Sequence, residues 1–305
     1  MSVQQAHRSL ASALKPWQYT EADAAVIRGY EASGEGAQTI HFLHGNGFAG
    51  GVYSPFLAGL FARGHGLIMP DCQGHGASDA GTRFIGWEAT ARRAARVMDA
   101  RLSAGHKLTL PPVGLGHSFG GIITLLMAAR EPARFSRIVL LDPVLFPPAY
   151  VRVMRVFNWL GLAQRITPMA RQAMRRNRRW ASRDEAREAM RERGIFRGWA
   201  PEALDAYVQY ALRCDDDGCV LSTPSWMEAG IFSSAPPTLW RAVRRVSVPV
   251  DIVTGLETYD FILPSVRRAS RLNRHVRVHT IAGGHCFMQQ APAQASDFVA
   301  GLLHE

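Results

Sequence analysis

The sequence Gly116-His117-Ser118-Phe119-Gly120-Gly121 follows a short apolar run, Pro112 to Leu115, and precedes a longer apolar run that ends at Arg130. The short run predicts a buried strand and the longer one a helix. A G-x-S-x-G pattern between a strand and a helix puts its serine on a sharp turn, because glycines without a Cβ let the two elements pass closely. We therefore expect the Oγ of Ser118 to project from the carboxyl end of the strand as a nucleophile.

Short apolar runs alternate with helix-like stretches over most of the 305 residues. The predicted strands are Thr39 to Leu43, Gly66 to Met69, Pro112 to Leu115, Ile138 to Leu141, Val250 to Thr254 and Val276 to Ile281. The predicted helices are Ser54 to Arg63, Trp87 to Ser103, Gly120 to Arg130, Pro264 to Arg271 and Ala291 to Leu303. Repeated strand-helix units predict an α/β fold with a mainly parallel sheet and chemistry at its carboxyl edge.

The alternation stops once, from Pro143 to Trp240, where the sequence predicts only helices. We interpret residues 143–240 as an inserted all-helical lobe, which we call the cap. Residues 1–142 and 241–305 then form the α/β core.

A serine hydroxyl is a weak nucleophile at neutral pH, so a base and an acid must accompany it. In proteins with this motif the chain order is serine, acid, histidine. His285 follows Gly283 and Gly284 just after the last predicted strand, which makes it the predicted base.

Three residues compete for the role of the acid that orients His285. Asp260 is favoured because it follows the strand at Val250 to Thr254 on its carboxyl side. Glu257 lies on the same loop, and Asp142 ends the preceding strand, so both stay open as alternatives.

Two backbone amides are predicted to stabilise a developing oxyanion. One belongs to Phe119, at the start of the helix after the serine. The other belongs to Asn46 in His44-Gly45-Asn46-Gly47, which follows the strand at Thr39 to Leu43.

The stretch from Gly45 to Gly50 also fits the G-x-G-x-x-G pattern of dinucleotide-binding folds, with Asp71 about 20 residues further on. A dinucleotide site would leave the Ser118 turn and His285 unexplained, so we expect no cofactor. We also expect no metal ion, because neither the His41/His44 pair nor the Cys214/Cys219 pair belongs to a complete ligand set.

The formal net charge is +10. The stretch from Arg152 to Arg197 contains 13 arginines and only four acidic residues. Further acidic residues reduce the excess over the cap to +4. We interpret the arginines as one polar face and predict no nucleic-acid partner. Arg175, Arg176, Arg178 and Arg179 would favour an anionic substrate or an anionic membrane surface near the active-site entrance.

The composition, with 47% apolar and 20% charged residues, is that of a globular protein. No apolar run approaches the roughly 18 to 20 residues that span a bilayer, so we expect no stable membrane insertion. Four unevenly spaced cysteines predict no disulfide framework, and the residues before Trp17 lack a signal peptide. We therefore expect a cytoplasmic protein and leave open whether it forms a homodimer.

With these motifs together, the chain resembles the α/β-hydrolase superfamily over about 200 residues outside the cap. The resemblance rests on HGNGFAGGVYSPFLAGL from His44, DCQGHGAS from Asp71 and IAGGHCFMQQAP from Ile281. It implies an eight-stranded sheet of the α/β-hydrolase type and a helical cap over the nucleophile, as in uncharacterised bacterial members. Similar haloalkane dehalogenases and epoxide hydrolases carry aspartate at the position of Ser118, so neither activity fits.

The resemblance implies hydrolysis of a carboxylic ester through Ser118, His285 and Asp260. The apolar residues and the arginines of the cap indicate a hydrophobic or anionic acyl compound as the substrate. Thioesters, lactones and carbon–carbon bonds are alternative substrates for the same residues. A binding protein that keeps the fold without turnover is the second alternative.

Overall fold

A computed structural model of the protein describes residues 3–36, 38–104 and 111–304. In these ranges the strands form one sheet of eight and one of three. In chain order the strands are β1 (Lys15–Thr20), β2 (Val26–Ala32), β3 (Ile40–Leu43), β4 (Leu67–Pro70), β5 (Val113–His117), β6 (Arg137–Leu141), β7 (Arg179–Trp180), β8 (Leu212–Asp215), β9 (Gly218–Leu221), β10 (Val250–Glu257) and β11 (Val276–Gly284).

The large sheet has the strand order β1-β2-β4-β3-β5-β6-β10-β11. From β4 to β11 all neighbouring strands are parallel, whereas β1 and β2 pair antiparallel with their neighbours. The predicted mainly parallel sheet is thereby confirmed. Strands β1 and β2 were not predicted, because both alternate between buried and less buried residues and lack a continuous apolar run.

The helices connect the strands and cover both faces of the large sheet. In chain order they are α1 (Val3–Ala13), α2 (Ser54–Phe61), α3 (Trp87–Ser103), α4 (Phe119–Arg130), α5 (Pro148–Trp159), α6 (Ala163–Ile166), α7 (Pro168–Arg175), α8 (Arg183–Met190), α9 (Pro201–Tyr210), α10 (Ser225–Phe232), α11 (Leu239–Arg245), α12 (Ile262–Leu272), α13 (Phe287–Gln290) and α14 (Pro292–His304). Helices α3, α4, α11 and α12 pack together on one face, and α1, α2 and α14 on the other.

The central strands carry apolar side chains on both faces, as expected for a sheet between two helical layers. In β6, Val139 and Leu141 belong to the core with α2 and α14, whereas Ile138 and Leu140 belong to the core with α3 and α4. This alternation follows from the period of two in a strand. It anchors the carboxyl end of β6 between β5 and β10, where the candidate site lies.

The cap is not all-helical, contrary to the sequence prediction. It contains a three-stranded antiparallel sheet with the order β7-β9-β8. Gly218, the first residue of β9, has φ +119°, a conformation that favours glycine, and a disulfide joins Cys214 to Cys219 across the β8–β9 hairpin. The uneven cysteine spacing predicts no disulfide framework, and the structure has one bridge, which closes a short hairpin, while Cys72 and Cys286 are buried free thiols.

Helix α11 crosses the predicted boundary between cap and core at residue 240. It packs against α4 and α12 of the core. The division into 143–240 and the flanking core therefore stays a prediction, with α11 as the element that joins the two parts.

A methyl group at Gly120 has no room, because its Cβ would overlap the backbone oxygens of Leu43 and His44. We predict that Gly120→Ala lowers the free energy of unfolding by about 3 kcal/mol. Gly301 in α14 has open space around the same position and is the matched control. Gly301→Ala should raise stability by up to about 1 kcal/mol, because alanine has the higher helix propensity. Urea unfolding of both variants tests this, and equal midpoints would contradict the close approach at Gly120.

Candidate active site

Ser118 lies on the turn between β5 and α4 with φ +52° and ψ −113°. A positive φ is strained for a residue with a side chain and persists only where the surroundings enforce it. Here the Ser118 amide donates to the Leu141 carbonyl at 3.0 Å, and a Cβ at Gly116 would stand 2.5 Å from the Gly120 carbonyl oxygen. The two glycines therefore let α4 start directly against the strand, as the motif predicted.

A line of hydrogen bonds runs from Ser118 through His285 to Asp142. The Oγ of Ser118 lies 3.0 Å from Nε2 of His285, and Nδ1 of His285 lies 2.5 Å from Oδ2 of Asp142. Asp142 is fully buried, and the side chain of His285 is 12% exposed. The structure thus brings the predicted nucleophile and base together in the geometry that general-base activation requires.

The acid in this line is Asp142, and the preference for Asp260 is wrong in this structure. Asp260 and the other alternative, Glu257, are both exposed, and neither side chain forms a hydrogen bond or ion pair within the described ranges. Asp142 also accepts hydrogen bonds from the Gly255 amide at 3.1 Å and from the Thr258 hydroxyl. The loop after β10 therefore binds the acid and does not supply it.

The reason for this correction is the strand order. Strand β6 lies between β5 and β10, so its end is beside Ser118 and below the loop that carries His285. Asp142 turns inward there with φ +43°, and its amide donates to the Val253 carbonyl at 2.7 Å. Nothing local in the sequence distinguishes this turn from an ordinary end of a strand.

His117 connects the predicted oxyanion loop to the His285 loop, a role that the sequence analysis missed. Its Nε2 lies 3.0 Å from the His285 carbonyl oxygen, and its Nδ1 lies 2.6 Å from the Tyr53 hydroxyl. Burial holds the pKa of His117 well below its usual range, so the ring is neutral. Nε2–H then donates to the carbonyl, and Nδ1 accepts from Tyr53, whose oxygen accepts from the Gly45 amide at 3.1 Å.

The two predicted oxyanion donors, Asn46 and Phe119, both line one cavity with Ser118 and His285. Among the described residues, no acceptor pairs with the backbone amide of either residue. The Asn46 side chain is held in place: its Nδ2 donates to the Glu228 carbonyl at 3.1 Å, and its Oδ1 lies 3.3 Å from Nε2 of His75. Both amides are thus free to bind a ligand oxygen.

The cavity has a volume of about 350 Å³, and the cap forms much of its wall. Its described lining residues include no Asp, Glu, Lys or Arg. They are Gly45, Asn46, Phe48, Trp87, His117, Ser118, Phe119, Val144, Phe146, Pro147, Tyr150, Thr167, Pro168, Met169, Ile195, Ile231, Phe232, Tyr259, Phe261 and His285. A pocket with these walls fits an uncharged, largely apolar group next to Ser118.

Asp71 is the acid of the alternative dinucleotide pattern. Its side chain binds backbone amides of the protein, including that of Gly50, and so is not available to bind a ribose. It is buried, and its oxygens accept from the amides of Gly50 at 2.8 Å and Ala77 at 3.0 Å. Burial raises the pKa of Asp71 to about 6. The glycines of that pattern thus belong to the loop that presents Asn46.

Within residues 3–36, 38–104 and 111–304, no group of three or more His, Cys, Asp or Glu side chains lies in an arrangement for holding a metal ion. None of the helices in these ranges combines the length and apolarity needed to cross a membrane.

A strand-turn-helix serine, a histidine after the last strand and an eight-stranded, mainly parallel sheet define an α/β hydrolase. A family model for the α/β hydrolase family matches residues 42–298. Because this match covers most of the chain, the protein belongs to the α/β hydrolase family.

The individual relatives match only part of the chain, at low sequence identity. An abhydrolase domain-containing protein of Alternaria alternata, ACTT2-1, is 28% identical over 171 residues, which are 55% of this chain and 51% of that protein. The chain therefore spans about half the length of this relative. A type I acyl-CoA thioesterase, mpaH of Penicillium roqueforti, is 33% identical over 105 residues, 34% of this chain and 22% of that protein.

Solved structures are similar over the whole chain. A Mycobacterium tuberculosis esterase superposes with a TM-score of 0.69 at 19% identity and covers 99% of this chain and 97% of its own. At this identity the likeness shows the fold alone.

We predict that Asp142→Asn lowers the hydrolysis rate of an activated ester by about 10⁴-fold, because an amide holds the wrong tautomer of His285. Asp260→Asn is the matched control and should leave the rate within about twofold of wild type, as expected for an exposed side chain without partners. Circular dichroism spectra must match for both variants. A large loss in Asp260→Asn with normal rates in Asp142→Asn would restore the sequence-based preference.

Proposed function

We propose that the protein is a serine hydrolase that cleaves an acyl bond, an ester or thioester of an apolar carboxylic acid, through Ser118, His285 and Asp142. The observation that carries this proposal is the hydrogen-bonded line from Asp142 to Ser118 at the floor of an apolar cavity. A non-catalytic binding protein would need no such line, and no buried carboxylate at its end.

In the proposed mechanism the Ser118 Oγ attacks the acyl carbonyl carbon while Nε2 of His285 takes the hydroxyl proton. Asp142 keeps the other proton of His285 on Nδ1 and stabilises the imidazolium that forms. The carbonyl oxygen becomes an oxyanion and accepts hydrogen bonds from the amides of Asn46 and Phe119. The tetrahedral intermediate collapses when His285 returns its proton to the departing alcohol or thiol, which leaves an acyl-Ser118 ester.

A water molecule completes the cycle. His285 takes its proton as the water oxygen attacks the acyl-Ser118 carbonyl, and the second tetrahedral intermediate returns the serine hydroxyl and releases the acid. The Nε2 position, 3.0 Å from the Ser118 oxygen, suits both proton transfers.

The cavity supports an apolar acyl group as the part of the substrate next to Ser118. Phe146, Met169, Ile231, Phe232 and Phe261 present hydrocarbon surface there. Each methylene that enters such a pocket gains about 0.8 kcal/mol, which corresponds to about a fourfold change in kcat/KM.

The cavity indicates less about the leaving group of the substrate than about its acyl group. The partial match to a type I acyl-CoA thioesterase favours a thioester as the second candidate beside the oxygen esters. Lactones and carbon–carbon bonds would use the same residues and are the further alternatives.

We predict that a fluorophosphonate probe labels the wild-type protein on Ser118 and that Ser118→Ala is not labelled. With p-nitrophenyl esters of increasing acyl length, kcat/KM should rise about fourfold per methylene until the cavity is full. Thioesters and lactones assayed in parallel rank the bond types. Labelling of wild type without turnover of any member would support a more specialised acyl bond, whereas persistent labelling of Ser118→Ala would contradict the proposal.

A further inference from the structure

The surface of α5, α6 and α7 has an unusual charge distribution. Between residues 143 and 183 the sequence has nine arginines and no Asp or Glu. Six of these arginines are exposed and form no ion pair within the described ranges. Five of them lie on α5, α6 or α7, namely Arg152, Arg155, Arg165, Arg171 and Arg175, and the sixth is Arg179 on β7. By contrast, Arg176 pairs with the buried Glu228 at 3.1 Å, and Arg178 donates to the carbonyls of Leu221 and Thr223. The five exposed cations on α5, α6 and α7 therefore lack a structural partner.

Large apolar side chains are exposed beside these arginines. Trp159 is 84% exposed, Val156 54%, Leu160 50% and Val153 48%. Positions 153, 156 and 160 recur at helical spacing, so they lie on one side of α5, whereas Val151 and Met154 on its other side are buried. We call the surface formed by the five exposed arginines and these four side chains the α5 surface. Helix α5 is thus apolar on two sides, only one of which the fold covers.

The α5 surface lies near the mouth of the catalytic cavity. Met169 at the start of α7 and Ile195 are 40% and 41% exposed, and both also line that cavity. Helix α6 contacts both α5 and α7 and so connects the surface to the mouth. Beside the mouth, a groove of about 510 Å³ is lined by Pro168, Gln172 and three arginines, Arg171, Arg175 and Arg176.

We propose that the α5 surface docks on an anionic phospholipid bilayer. Helices that lie in the interface combine exposed Trp and aliphatic residues with arginines whose charge attracts acidic lipids. Arg152 and Arg155 suit this arrangement, because long arginine stems lie along apolar surface while the guanidinium stays with the headgroups. The groove at Arg171 and Arg175 offers a place for a lipid phosphate next to the cavity mouth.

Charge and shape favour a bilayer over other occupants. A second copy of the chain would bring the same cationic surface against itself, which like-charge repulsion opposes. A nucleic acid would satisfy the arginines but would leave Val153, Val156 and Leu160 without an apolar partner. A bilayer satisfies both the arginines and the apolar side chains.

Binding can be measured without turnover in the Ser118→Ala variant of the 305-residue chain, so failure of docking and failure of the proposed hydrolase activity are separable. We predict sedimentation with vesicles of phosphatidylcholine plus one-third phosphatidylserine, and little with phosphatidylcholine alone. Raising the salt concentration should release the protein, because the attraction is screened. Each exposed arginine near the surface contributes about fivefold in affinity, so Arg152→Gln/Arg155→Gln should lose about 25-fold.

The matched charge control is Arg241→Gln/Arg245→Gln on α11, which removes two exposed arginines outside the α5 surface. It should retain most of the binding. Trp159→Ser should weaken vesicle binding, while Trp159→Phe should retain it. When the same two substitutions are made in the protein that keeps Ser118, hydrolysis of a short water-soluble ester should be unchanged.

Three results would overturn the proposal. They are equal binding to vesicles with and without phosphatidylserine, an equal loss in the α11 control, and no binding to either vesicle at low salt. Concentration-dependent dimerisation that Trp159→Ser abolishes, without vesicle binding, would assign the surface to a second copy instead.

Discussion

The buried carboxylate of Asp142 is the group on which the candidate site depends. It is fully buried, and an uncompensated charge there would be costly. Three donors compensate it: the Gly255 amide, the Thr258 hydroxyl and the imidazole of His285. These donors come from the end of β10, the loop after it and the loop after β11, so one carboxylate joins the carboxyl ends of three neighbouring strands. The position of His285 over Ser118 follows from that arrangement.

The cap forms much of the wall of the cavity at this site. It closes an apolar cavity over Ser118 with side chains from α5, α7 and α10, and it places the unpaired arginines on its outer side. The inner and outer surfaces of the cap thus have different chemistry. An apolar acyl group suits the inner surface, and an anionic lipid headgroup suits the outer one. Helices α5 and α7, which contribute to both surfaces, lie in the stretch from residue 143 to 183 that contains no Asp or Glu.

Local patterns predicted the sheet, the Ser118 turn and the position of His285, because each depends on a few adjacent residues. The acid could not be predicted this way, since the choice among Asp142, Glu257 and Asp260 depends on β6 lying between β5 and β10. The contact between His117 and Tyr53 joins residues 64 positions apart and was missed for the same reason. The hairpin in the cap was not predicted for a different reason. A local turn signal, Asp217-Gly218 between two cysteines, is present in the sequence, but the cap was interpreted as all-helical.

Proton NMR tests most directly whether Asp142 holds the Nδ1 proton of His285. A short hydrogen bond between a carboxylate and an imidazole gives a proton resonance far downfield of the amide region. The structure predicts this resonance in wild type and in Asp260→Asn, and its loss in Asp142→Asn. Loss of the resonance in Asp260→Asn with its retention in Asp142→Asn would contradict the assignment of the acid.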